Sequence, residues 1–182
     1  MSDALRKDSA FERDPRRKQE IASRPVIDDL YREVWGDGIK IYREGDIGRI
    51  KIHGRPDARI SDTLDFMGCD VAIVFPSSQP LYGQEKSLSY EERIFRTITI
   101  SEHSFSKCAA QFYFCGYLNE DNTGFDPWII ANWASVVLAA NMGQIAWSFR
   151  PSNTPRRYPS FWHTIMDDLP DSCVIAQSRD TP

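Results

Sequence analysis

Asp70-Val71-Ala72-Ile73-Val74-Phe75, then Pro76-Ser77-Ser78-Gln79-Pro80, then Leu81-Tyr82-Gly83-Gln84-Glu85-Lys86-Ser87-Leu88 is the stretch on which the fold turns. Val71 to Phe75 is a continuous apolar run, the pattern of a central strand covered on both faces. The proline- and serine-rich segment after it is a connection, and Leu81 to Leu88 returns as a second strand. Side chains alternate along a strand, so Gln84 and Lys86 share one face and Glu85 takes the other. Antiparallel pairing brings Asp70, at the start of the first strand, to Gln84 and Lys86 near the end of the second. A carboxylate, a side-chain amide oxygen and the Glu85 backbone carbonyl are hard oxygen ligands suited to Mg²⁺ or Mn²⁺. A lysine ammonium beside such an ion is what phosphodiester cleavage requires. It stabilises charge developing on the phosphate oxygens and orients the attacking water. A carboxylate from the first helix would complete the metal's surroundings; Asp28, Asp29 and Glu33 compete for that place, with Glu33 the leading choice.

The rest of the chain frames these two strands. Val26, Ile27, Leu30, Tyr31 and Val34 recur at helical spacing behind Pro25, a residue suited to a first turn, and Trp35-Gly36-Asp37-Gly38 ends that helix. Ile39 to Arg43 and Ile47 to Ile52 alternate apolar and polar and predict strands or one bent hairpin, with Gly54-Arg55-Pro56-Asp57 as turn chemistry. Phe95 to Ile100 predicts a third strand and Gln111 to Leu118 a fourth. Asp126-Pro127 reads as the start of a long apolar helix, Trp128 to Met142, buried in the core, with Asp126 as N-cap and Gly143 at its end. Ile145 to Phe149 predicts a short strand and Phe161 to Met166 a short helix. The order implies an α+β fold, a mostly antiparallel or mixed central sheet flanked by helices. Residues 1–24 read as a charged N-terminal arm, 25–169 as a single domain and 170–182 as a flexible tail without pattern.

Composition limits the function classes. A chain of 182 residues is of single-domain length, and its net charge of −4 argues against a surface that binds nucleic acid everywhere. Cys69, Cys108, Cys115 and Cys173 form no Cys-x-x-Cys pair, so a zinc site is not expected and the thiols read as buried small hydrophobes in a reducing cytoplasm. No apolar stretch is long enough to span a bilayer, so no membrane partner is expected. His53, His103 and His163 share no metal-ligand spacing, and neither a phosphate loop nor a nucleophile elbow occurs.

Leu64-Asp65-Phe66-Met67-Gly68-Cys69-Asp70 followed by Gln84-Glu85-Lys86 resembles the PD-(D/E)XK nuclease superfamily, in particular its phage and restriction-type members with Gln in place of the second acid. The resemblance spans residues 25–150. It implies a restriction-endonuclease-like core of a helix, three meandering strands, a helix and a further strand. It also implies a metal-dependent endonuclease hydrolysing DNA phosphodiester bonds, with Mg²⁺ or Mn²⁺ as cofactor and Asp70, Gln84 and Lys86 as its site. Under that resemblance Arg43, Arg49, Lys51, Arg55 and Arg59 are expected phosphate contacts. So is the loop of Arg150, Arg156 and Arg157 interleaved with Tyr158, Phe161 and Trp162, whose binding weakens steeply with salt. Cutting both strands makes a homodimer the natural assembly. The uncharged Gln84 leaves a second expectation, a catalytically inactive binding or inhibitory protein, phage-encoded in kind, that acts through its surface.

Overall fold

The structure is a computed structural model and describes residues 15–43, 64, 69–101, 109–151 and 160–178. In chain order its elements are α1 (Pro15–Trp35), β1 (Lys40–Arg43), β2 (Val71–Val74), β3 (Leu81–Leu88), β4 (Thr97–Ser101), β5 (Phe112–Leu118) and β6 (Phe125–Asn132). There follow α2 (Trp133–Asn141), β7 (Ser148–Arg150), β8 (Phe161–Ile165) and β9 (Val174–Gln177). The fold is α+β. A six-stranded mixed sheet runs in the order β1-β2-β3-β5-β6-β9, and a three-stranded sheet runs β4-β8-β7. The first three strands form the expected antiparallel meander, with Val71 opposite Gly83 and Arg43 opposite Val71. β5 then lies parallel to β3, so the chain crosses over between them. Gln111 starts that parallel pair: its N–H donates to the Tyr82 carbonyl at 2.7 Å and its side-chain oxygen accepts the Tyr82 N–H at 2.9 Å.

Each face of the large sheet has its own apolar cluster. Ile27 and Tyr31 of α1 pack on Val71, Ile73, Phe112, Phe114 and Ile130. On the opposite face, Ala72, Tyr82, Tyr113, Cys115, Tyr117 and Ile129 meet Ile98 and Ile100 of β4 and Trp133, Val136 and Ala139 of α2. Two tyrosines of β5 fasten the small sheet. The Tyr113 hydroxyl donates to the Thr99 carbonyl, and Tyr117 both donates to the Thr97 carbonyl (3.0 Å) and accepts the Thr97 N–H (2.9 Å). These bonds satisfy the Thr97 N–H and the Thr97 and Thr99 carbonyls on the side of β4 where no strand pairs among the described residues.

Several elements differ from their sequence reading. α1 begins at Pro15, with Pro25 inside it, because Ser23 rather than an apolar residue anchors the earlier turns: it is buried, donates to Glu20 O and accepts from the Ser87 hydroxyl of β3. The apolar run Trp128 to Met142 is not one helix. Phe125–Asn132 is a strand between β5 and β9, buried on both faces, and Asn132, not Asp126, caps α2 by accepting the Ser135 N–H at 3.1 Å. A continuous run containing Trp128, Ile129 and Ile130 satisfies a buried helix and a buried strand equally, and pairing on both edges decides for the strand. α2 itself is one-sided, with Leu138 and Met142 exposed. Phe161–Ile165, read as helix, is a strand between β4 and β7, as its aromatic and β-branched composition permits. The third predicted strand begins at Thr97, after a 3₁₀ turn over Tyr90–Phe95, and belongs to the small sheet. Val174–Gln177 in the patternless C-terminal stretch is β9, an edge strand. The predicted strand Ile47 to Ile52 and the turn at 54–57 lie outside the described residues.

Gly83 is where β3 and β5 come together most closely. The Phe112 ring occupies the volume that any Cβ at position 83 would need. Phe112 is buried, so it has little room to give way. Gly83→Ala is therefore expected to destabilise the chain by about 1–3 kcal/mol in urea denaturation. Phe112→Leu removes the clashing ring, so the double variant loses less than the sum of the two single losses; strict additivity would show that the ring is not the obstacle.

Candidate functional site

β2 is short, and the candidate site lies where it begins. Asp70 immediately precedes β2, and its N–H donates to the Gly83 carbonyl at 2.9 Å, one residue out of the register that pairs Val71 with Gly83. The next donor on that edge of β3, the Glu85 N–H, meets no strand among the described residues and is accepted by Asp70 Oδ2 at 3.0 Å. The carboxylate thus continues the ladder. Asp70 and Gln84 are half-buried, whereas Lys86, one alternation further along the same face, is exposed. Lys86 forms no ion pair among the described residues. The alternation of β3 thus puts Gln84 and Lys86 on one face, and Asp70 reaches the strand beside them through the Glu85 N–H. Leu64 is buried in the cluster beneath, its carbonyl accepting the Cys69 N–H at 2.9 Å.

The other face of β3 carries a different chemistry. The Glu85 side chain points toward α1 and receives both arms of a guanidinium fork: Arg43 Nε donates to Oε2 at 2.8 Å and Nη2 to Oε1 at 2.9 Å. Arg43 Nη2 also donates to Asp28 Oδ1 of α1 at 2.6 Å. The Arg43 and Glu85 side chains are each only 6% exposed, so this is a buried ion network joining α1, β1 and β3. Glu85 and Asp28 raise the already high pKa of Arg43 further, against the effect of burial. Tyr31 lies beside the network, and burial together with the Glu85 charge pushes its phenol well above its usual range.

Some predicted site residues stand elsewhere. Glu33 is exposed on α1, and α1 covers the face of the sheet opposite to Gln84 and Lys86. Asp29 is occupied in a surface pair with Arg32 and Asp28 in the buried network. Arg43 is not a phosphate contact, since its guanidinium is spent on Glu85 and Asp28. Arg150 is exposed on β7. Arg49, Lys51, Arg55, Arg59, Arg156, Arg157, Tyr158, His53 and His103 lie outside the described residues. The sequence signal for the Arg43–Glu85 pair was the alternation of β3 itself, which already sends Glu85 away from Gln84 and Lys86. What it could not supply was the identity of the residue waiting on the other side.

Asp70, Gln84 and the Glu85 peptide offer oxygen donors of the kind Mg²⁺ takes, an ion that is commonly held by one or two carboxylates and keeps several waters. The donor chemistry fits. Among the described residues no group of three or more His, Cys, Asp or Glu is placed to hold a metal, so the site relies on one carboxylate and neutral oxygens. Comparison with protein-family models, curated proteins and solved structures finds no match to this chain. Among the described residues no helix is long and apolar enough to cross a membrane.

Cys115 of β5 stands opposite Lys86 in the parallel register. Burial pushes its thiol up to about 12, while the nearby Lys86 charge pulls the other way. This thiol is a packing group. The unfolded chain releases its proton near its ordinary pKa of 9.0, whereas the native chain keeps it to about 12. Its contribution to stability is thus complete below about pH 9 and is lost as pH rises through that window. Cys115→Ala should make the decline of unfolding free energy above pH 9 shallower by up to about 1.4 kcal/mol per pH unit. A decline identical to wild type would show that the thiol ionises equally in both states.

Proposed function

We propose that this chain is a divalent-metal-dependent nuclease that hydrolyses DNA phosphodiester bonds. The observation that supports the reading is the Asp70 carboxylate seated on the Glu85 N–H at 3.0 Å, between Gln84 and Lys86, which share one face of β3. Asp70, the Gln84 side-chain oxygen and the Glu85 carbonyl would hold Mg²⁺ or Mn²⁺. A bound ion supplies a Lewis acid that polarises the phosphoryl group and lowers the pKa of a water.

The chain's own groups do the rest. Asp70 contributes the negative charge that draws a cation to this edge. Gln84 contributes an oxygen without a second charge, so affinity for the metal rests on geometry more than on field. Lys86, exposed and without an ion pair among the described residues, holds its ammonium on the same face as Gln84. There it neutralises charge building on the non-bridging oxygens and directs a water at phosphorus. Arg150, exposed on β7, is available to a phosphate, and backbone contacts of this kind set the register of DNA on a protein without reading its sequence.

A second reading keeps the fold without the chemistry, a binding or inhibitory protein that works through its surface. It is favoured by the single carboxylate in the donor set and by the position of Glu33 across the sheet. Incubation of plasmid and single-stranded DNA with Mg²⁺, Mn²⁺ or EDTA separates the two. The nuclease reading expects metal-dependent cutting that Lys86→Ala reduces by about 10²–10³-fold, a loss typical of removing one transition-state charge stabiliser. Because Lys86 is exposed, that variant should fold with stability within about 0.5 kcal/mol of wild type. A Lys86→Ala chain that cuts at the wild-type rate rules out the assigned role. Folded wild type that cuts nothing with either metal favours the binding protein.

A further inference from the structure

The peptide of Glu85 is held on one side of the sheet and its carboxylate on the other. On the β2 edge the described ladder ends at the Val71–Gly83 pair, and the Glu85 N–H passes to Asp70 Oδ2 at 3.0 Å. On the α1 face the carboxylate is gripped by both arms of Arg43 at 2.8 and 2.9 Å, and Arg43 is tied to α1 through Asp28 at 2.6 Å. In an extended residue the side chain and the peptide project from one Cα in a fixed relation, so fixing the carboxylate fixes the orientation of the N–H and carbonyl. Arg43 ends β1 and Asp28 belongs to α1, so two elements that supply none of the groups Asp70, Gln84 and Lys86 converge on Glu85, the residue between Gln84 and Lys86. A guanidinium fork suits this task, because its planar donors fix the angle of the carboxylate as well as its distance.

We propose that Arg43 and Asp28 are positioning residues, which set the Glu85 peptide against Asp70 from the helix side of the sheet and so shape the metal-binding edge. The inference rests on the metal-site reading above. It differs from a role in stability alone, because charge-conserving changes that loosen the fork then weaken metal binding while the fold persists.

The test is an Mn²⁺ titration of the full chain followed by electron paramagnetic resonance, for wild type, Arg43→Lys and Asp28→Glu. Arg32→Lys, in the exposed pair with Asp29, serves as the control. All three substitutions preserve formal charge, so a change in affinity reports geometry and not field. Arg43→Lys and Asp28→Glu are each expected to raise the Kd for Mn²⁺ by about tenfold or more, the usual effect of removing a partner that orients a metal ligand. The control should bind as wild type does. Folded variants that bind Mn²⁺ as tightly as wild type overturn the proposal while leaving the metal reading standing. A wild-type chain that binds no Mn²⁺ overturns the metal reading and the proposal with it. Amide hydrogen exchange of the wild type decides the matter should both variants unfold: the Glu85 N–H is expected to exchange as slowly as the ladder amide of Phe114, and rapid exchange at Glu85 overturns the claim.

Discussion

The forked pair between Arg43 and Glu85 is the constraint from which the rest of the sheet takes its register. Both side chains are almost wholly removed from water, where an unpaired charge costs about 3–5 kcal/mol when its partner is taken away. Slipping β3 by one residue would move Glu85 into the cluster of Tyr82, Tyr113 and Cys115 and would press Gln84 and Lys86 under α1. No apolar contact on either face discriminates so sharply, since Val71 and Ile73 would find hydrophobic neighbours in several alignments. One buried charge pair therefore specifies which face of β3 meets the helix and which carries the candidate chemistry.

The site itself follows from a mismatch of strand lengths. β3 spans Leu81–Leu88, while β2 begins at Val71, so among the described residues no strand pairs with the far half of β3 on that edge. Backbone groups there need partners, and Asp70 supplies the first of them with its side chain. The same carboxylate thus stands in for a strand residue and would be the acidic centre of the proposed site. β5 on the other edge is rigid by contrast, buried along its whole length and bonded through Tyr113 and Tyr117 to the small sheet. Gln84 and Lys86 are accordingly presented by a strand with one well-fixed edge and one open edge, which is the arrangement a site for an external ligand needs.

Much of this was legible in the sequence. The β2–β3 meander could be read from an apolar run, a proline-rich connection and a returning strand, and alternation alone separated Glu85 from Gln84 and Lys86. The errors share one cause. Trp128 to Met142 and Phe161 to Met166 are apolar or aromatic stretches whose composition fits a buried strand as well as a helix, and only the strands that flank them decide. The C-terminal edge strand and the polar start of α1 carry little hydrophobic pattern and are held by pairing and by Ser23, which periodicity cannot detect. Arg43 was expected to contact phosphate only through the nuclease resemblance. Its burial depends on a glutamate in a strand far along the chain and on Asp28 of α1, a coincidence of three elements that a local reading cannot see.

The account stands or falls on whether a divalent ion settles at the open edge of β3. The most direct measurement is an anomalous difference map from crystals of the chain soaked with Mn²⁺. The account predicts a peak bounded by the Asp70 carboxylate, the Gln84 side-chain oxygen and the Glu85 carbonyl, with Lys86 beside it. A peak seated elsewhere on the molecule, with that edge left empty, would contradict it.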